Sequence, residues 1–144
     1  MNNNDNYGFK GNAPENPNVV QLITFLYVGV AELNDGRLSD NEIIRMVEKH
    51  ESYGVENKDS IEFIKEGVAW WDDSVKKDVH LDDLIQCAKL LKHQKGWNEE
   101  LKETLHMDLT SITTADGLLD LEDGKFIGER KLEVVSTIMK LFNN

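Results

Sequence analysis

Disulfides are the first thing this chain lacks. Cys87 is its single cysteine, so no intramolecular bridge can form and nothing points to an oxidising compartment. Cys87 lies in an apolar helical stretch, where a thiol acts as a small hydrophobe. Proline is scarce as well: only Pro14 and Pro17 occur, so no ring interrupts a helix further along. Basic residues are outnumbered, 16 Lys and Arg against 27 Asp and Glu, for a formal net charge of −11. A surface of that sign repels nucleic acid and anionic membranes, because both are polyanions. It favours cations, basic partners or plain solubility. The apolar run Val19 to Ala31 meets Glu32 at once and falls short of the roughly 20 residues that cross a bilayer. Before it, Lys10 alone faces Asp5 and Glu15, so the positive region that opens a signal peptide is missing. A cytoplasmic protein without direct membrane insertion is expected.

Chemical signatures are also few. There is no Gly-rich phosphate loop, no Gly-x-Ser-x-Gly elbow and no Cys-x-x-Cys. Histidines 50, 80, 93 and 106 are scattered, with none paired at the i, i+4 spacing of a helical zinc site. No nucleophile can be matched to a base from the sequence, and a non-enzymatic protein is expected.

What is present is helical periodicity in a chain of 144 residues, a common size for one domain and long enough to fold around a core of its own. Residues 1–16 are rich in Asn and Gly with few aliphatics, and are expected to form a flexible arm. Residues 17–144 are expected to form one all-α domain, a compact bundle of about six to seven helices. Pro17 suits the first position of a helix, where its missing N–H costs nothing. The first helix, about 18–34, is apolar nearly all round and belongs at the centre of the bundle. The second starts at Ser39, with Glu42 three residues on as a capping box, and ends near Tyr53-Gly54. Further helices are expected over about 59–76, 80–95 (stopped by a left-handed Gly96), from the N-cap Asn98 to about 114, and over about 121–142. No Asn-Gly hairpin appears, so no sheet is expected.

Two segments match each other. Asn34-Asp35-Gly36-Arg37-Leu38-Ser39-Asp40-Asn41-Glu42 and Ala115-Asp116-Gly117-Leu118-Leu119-Asp120-Leu121-Glu122-Asp123 share Asp-Gly, a Leu two places on, an N-cap residue and an acid three places later. Gly ends a helix, Leu tucks into the core, and Ser39 or Asp120 caps the next helix with an acid at its positive end. Helix capping accounts for this without a ligand. If the two corners converge, Asp35, Glu42, Asp116, Asp120 and Asp123 form a carboxylate patch suited to a hard divalent cation, Ca²⁺ or Mg²⁺. An EF-hand fails on spacing: Gly124 at position 6 would put Leu119 at position 1 and Arg130 at position 12.

Through Ala31 to Glu42, and through Thr114-Ala115-Asp116-Gly117 with Glu122 or Asp123, the chain resembles the TerB-like tellurite-resistance family over about residues 18–142. The resemblance implies a compact helical bundle with an internal pseudo-duplication and a role in stress or metal response. It also implies an acidic surface for divalent metal and partnership with membrane-associated complexes. The chain departs from the pattern at Asn34, where Ala is usual, and at Gly124 and Gly128, each of which costs a helix about 1 kcal/mol relative to Ala.

Trp70-Trp71-Asp72-Asp73 is the most unusual tetrapeptide. Neighbours on a helix point about 100° apart, so one ring belongs in the core. The other is either a second core ring or an exposed anchor, flanked by acids, for a protein partner. Glu62 and Glu66, one turn apart, read as a solvated face. The competing functions are therefore a cation-binding TerB-like module, and an adaptor or immunity-type inhibitor whose acidic face docks a basic partner without metal.

Overall fold

The computed structural model describes residues 7–32, 38–113, 121–122 and 125–143. Their elements are α1 (Val19–Glu32), α2 (Asp40–Ser52), α3 (Asn57–Lys76), α4 (His80–Lys92), α5 (Glu99–Thr113), β1 (Leu121–Glu122), β2 (Lys125–Phe126) and α6 (Ile127–Asn143). The architecture is an all-α bundle of six helices among the described residues, with one very short hairpin.

α1 is the axis of the bundle. Every residue from Leu22 to Glu32 is buried, and the helix packs against all five others. A helix apolar on every side has no face to give to water, so its neighbours close around it. Gly29 marks the tightest crossing: a Cβ there would lie 2.7 Å from Leu84 Cδ2 and 2.8 Å from Trp71 Cζ3. Gly29→Ala is expected to lose about 1–3 kcal/mol by overpacking, more than the roughly 1 kcal/mol that helix propensity returns. A lowered urea midpoint with an unchanged m-value is the check.

Local chemistry sets several helix ends. The Ser39 hydroxyl accepts from the Glu42 N–H at 3.1 Å, and the Glu42 carboxylate accepts from the Ser39 N–H at 2.8 Å, which is the expected capping box. α1, which starts at Val19, has a similar cap at Asn18. Asn18 and Gln21 exchange backbone-to-side-chain bonds at 2.8 Å each way. Pro17 thus precedes the cap instead of opening the helix. Asn98 caps α5 by accepting from the Leu101 N–H at 2.7 Å. Gly54, at φ 81, turns the chain after α2.

Three expectations are corrected. α4 ends with His93 as its C-cap, and Gly96 is not left-handed. α6 starts at Ile127 instead of 121, because β1 and β2 pair antiparallel with Leu121 opposite Phe126 and Glu122 opposite Lys125. The two intervening residues read Asp-Gly in the sequence, a pair that two-residue hairpins favour as much as Asn-Gly. Finally, the arm is not loose where it is described. Phe9 and Gly11 are buried, and Phe9 meets Trp70 edge-on at 4.7 Å.

Candidate functional site

In the sequence the first Asp-Gly pair falls between α1 and α2, at positions outside the described residues. Glu32 ends α1 and Glu42 lies in the first turn of α2; both carboxylates are buried. Glu42 is placed by the capping box, its carboxylate accepting from the Ser39 N–H at 2.8 Å. Glu32 is carried inward by the same all-round burial that holds α1. Next to the corner, Glu32, Leu38, Ile43, Ile64, Val68 and Asp72 line most of an open groove of about 520 Å³ between α1, α2 and α3. Lys65 and Ala69 complete it.

Of the five acids expected to hold a cation, only Glu42 falls on described residues. Asp35, Asp116, Asp120 and Asp123 lie outside them, and with them the convergence of the two corners and the internal duplication. Among the described residues no three His, Cys, Asp or Glu side chains come together as a metal set. Glu32 was not among the expected residues. Its signal was a lone acid closing an apolar run.

The tetrapeptide does not present a ring to solvent. Trp70 and Trp71 are each 2% exposed. Trp70 stacks on Phe25 at 3.7 Å, and its indole N–H donates to Asp83 at 3.2 Å. Trp71 packs against Phe25 and, edge-on, against His80 at 5.2 Å. Of the two alternatives, both rings in the core is the one found, and the reading of Trp70 or Trp71 as an exposed partner anchor is corrected: α1 and α4 cover one ring, and the N-terminal segment covers the other. Asp72 is exposed on the groove. Asp73 accepts from Lys77 at 2.9 Å and from the Asn12 N–H at 2.8 Å, and these contacts, Lys77 first, hold its carboxyl below the ordinary range. Glu62 and Glu66 do not share a site: Glu62 pairs with Lys65, and Glu66 accepts from Gln21.

Three buried polar centres were not legible beforehand. Asp83, 1% exposed, takes the Lys10 N–H on one oxygen at 2.7 Å. Its other oxygen takes the Gly11 N–H at 2.9 Å, Trp70 Nε1 at 3.2 Å and the Ser74 hydroxyl at 2.8 Å. Asp108 accepts from Tyr27 at 2.8 Å and Tyr53 at 3.2 Å, with Lys49 at 3.7 Å. Burial first, then the charge of Asp108, pushes the Tyr53 hydroxyl up to about 12. Tyr27 is driven up by burial, then by Tyr53 and Asp108.

The third centre looks like a catalytic arrangement. His50 Nε2 lies 2.7 Å from the Thr24 hydroxyl and Nδ1 lies 2.5 Å from the Ser60 hydroxyl. A hydroxyl within hydrogen-bond reach of an imidazole is the geometry of an activated nucleophile. Yet His50, Thr24 and Ser60 are all fully buried, so no substrate reaches them. Burial lowers the His50 imidazole to about 4, which keeps it neutral as a bridge between α1, α2 and α3. Cys87 is likewise a core residue: its thiol donates to the Leu22 carbonyl at 3.1 Å, and burial, then Asp83, raises it.

No family model, no curated protein and no solved structure matches this chain. Among the described residues, no helix is long and apolar enough to cross a membrane.

Proposed function

We propose that this chain is a non-enzymatic, TerB-like acidic module with a stress- or metal-response role, taking a divalent cation, Ca²⁺ or Mg²⁺, at its first Asp-Gly corner. The observation that supports this reading is the pair of buried carboxylates, Glu32 and Glu42, that bracket the corner on α1 and α2. Coulomb attraction for a cation is less screened inside a protein than in water, and oxygen donors suit hard cations. Asp35, between them in sequence, supplies a third carboxylate in this reading; Asp116, Asp120 and Asp123 would serve the second corner.

Calorimetric titration with Ca²⁺, Mg²⁺, Mn²⁺ and Zn²⁺ tests it. Glu42→Gln is expected to weaken cation binding by about tenfold or more, because carboxylate count tunes affinity. Folding stability should stay within about 1 kcal/mol, since Gln also serves in a capping box. Absence of heat and of thermal shift with all four cations removes the cation reading.

A second reading is a docking face for a basic protein partner, without metal. It is favoured by the groove beside the same corner, where Leu38, Ile43, Ile64 and Val68 give apolar walls and Glu32 and Asp72 give negative charge. Such a partner includes a component of a membrane-associated complex. Affinity purification with Asp72→Lys against the natural chain separates this reading from the first, because Asp72 lies outside the corner.

A further inference from the structure

The contact between residues 9–12 and helices α3 and α4 is built as a recognition site. Three successive backbone N–H groups meet carboxylates: Lys10 and Gly11 on Asp83, and Asn12 on Asp73. Carboxylates that hold main-chain donors accept any sequence, and selectivity comes from three neighbouring features. Phe9 sits edge-on against Trp70. At residue 11 only glycine fits, because a Cβ there would meet the Ser74 hydroxyl and lie 2.8 Å from Asp83 Oδ2. Between them Lys10 pairs with Asp82 at 3.1 Å on the surface.

The floor of this cleft is fixed without the arm. Trp70 is stacked on Phe25, and Trp70 Nε1 and the Ser74 hydroxyl hold Asp83 from the helices. The arm is closed on itself, since the Tyr7 hydroxyl donates to Asn16 at 2.6 Å. Tyr7, Gly8 and Asn16 all have positive φ, at 55°, 89° and 46°, so the segment turns back on itself as a loop, and Gln86 of α4 donates to the Tyr7 carbonyl at 2.8 Å. A receptor that keeps its shape when empty binds at a lower ordering cost. On α4, Leu81 and Ile85, one turn apart, are 53% and 40% exposed.

We propose that this cleft is a peptide-recognition site for an extended aromatic–basic–glycine segment of a partner protein, held shut by the chain's own Phe9-Lys10-Gly11. The tethered copy competes at an effective concentration of the order of millimolar. A partner therefore enters when the arm is displaced or when its own contacts outweigh that competition.

The test uses the full chain with Gly11→Ala, which ejects the arm, and a labelled synthetic peptide with the sequence of residues 7–13. Trypsin cleavage after Lys10 reports arm release, and fluorescence anisotropy reports peptide binding. The expected result is faster cleavage, with saturable peptide binding about tenfold or more tighter than to the natural chain. A peptide lacking the phenylalanine ring, or with alanine for its second glycine, should bind correspondingly less. If Gly11→Ala does not fold, Phe9→Ala releases the arm without a clash and takes its place. The proposal is overturned if the folded variant cleaves as slowly as the natural chain, if a released arm leaves no peptide binding, or if the altered peptides bind equally well.

Discussion

Asp83→Ala is expected to lower folding stability by about 3–5 kcal/mol, the range for removing one partner from a buried charged network. Four donors lose their acceptor together: the Lys10 and Gly11 N–H groups, the Trp70 indole and the Ser74 hydroxyl. Each buried donor left unsatisfied costs about 1–3 kcal/mol, though such costs do not add in full. Urea unfolding gives the loss. Asp83→Asn separates shape from charge: it keeps the volume but turns an NH₂ towards one set of donors, so it should recover only a part. Trypsin cleavage after Lys10 should quicken in both variants. A loss below about 1 kcal/mol in Asp83→Ala, the size of an ordinary neutral hydrogen bond, would show that the cluster is incidental.

Lowering the pH from 7 to 4 is expected to remove about 3 kcal/mol of stability through His50 alone. Its folded value of about 4 lies below the ordinary 6.5, and each pH unit between them corresponds to about 1.36 kcal/mol. The folded state holds the ring neutral between two hydroxyls, while the unfolded chain takes up a proton once the pH falls below about 6.5. The unfolded state therefore binds more protons across that interval, and stability falls as pH falls. Above 6.5 both states are neutral and the effect is absent. Urea unfolding at pH 7, 6, 5 and 4, set beside His50→Gln, isolates it from the carboxylates, because the variant should lose the steep portion of the curve. Equal slopes in the two proteins would exclude His50 as the source.

How much of this was visible in the sequence depends on whether the deciding contact is local. The central helix was legible because α1 shows no polar stripe, and a helix without one must be enclosed. The Ser39–Glu42 cap was legible because it is closed within three residues. The arm was misread because its Asn- and Gly-rich composition conceals one phenylalanine. The acceptor for its backbone, Asp83, is more than seventy residues away in the chain. That contact also decides Trp70: a helix wheel sends one of two adjacent rings outwards, and here the arm covers the outward one. The short hairpin went unread because Asp123 reads as the acid that follows the second corner's N-cap and Gly124 as a glycine within a helix, whereas Asp-Gly is also a pair that hairpins favour. At the candidate site, Glu42 was found through its cap. Glu32 was passed over because an acid at the end of an apolar helix resembles an ordinary solvent-exposed terminus.

The enclosure of α1 carries a consequence for biosynthesis. This helix leaves the ribosome well ahead of the helices that wrap it, and α6 is made last among the described elements. At about 5–20 residues per second, the interval between them is on the order of 5–20 seconds. For that time an almost wholly greasy rod has no complete coat. The nascent chain is then a natural client for holding chaperones, and translation pauses late in the message would prolong its exposure to aggregation.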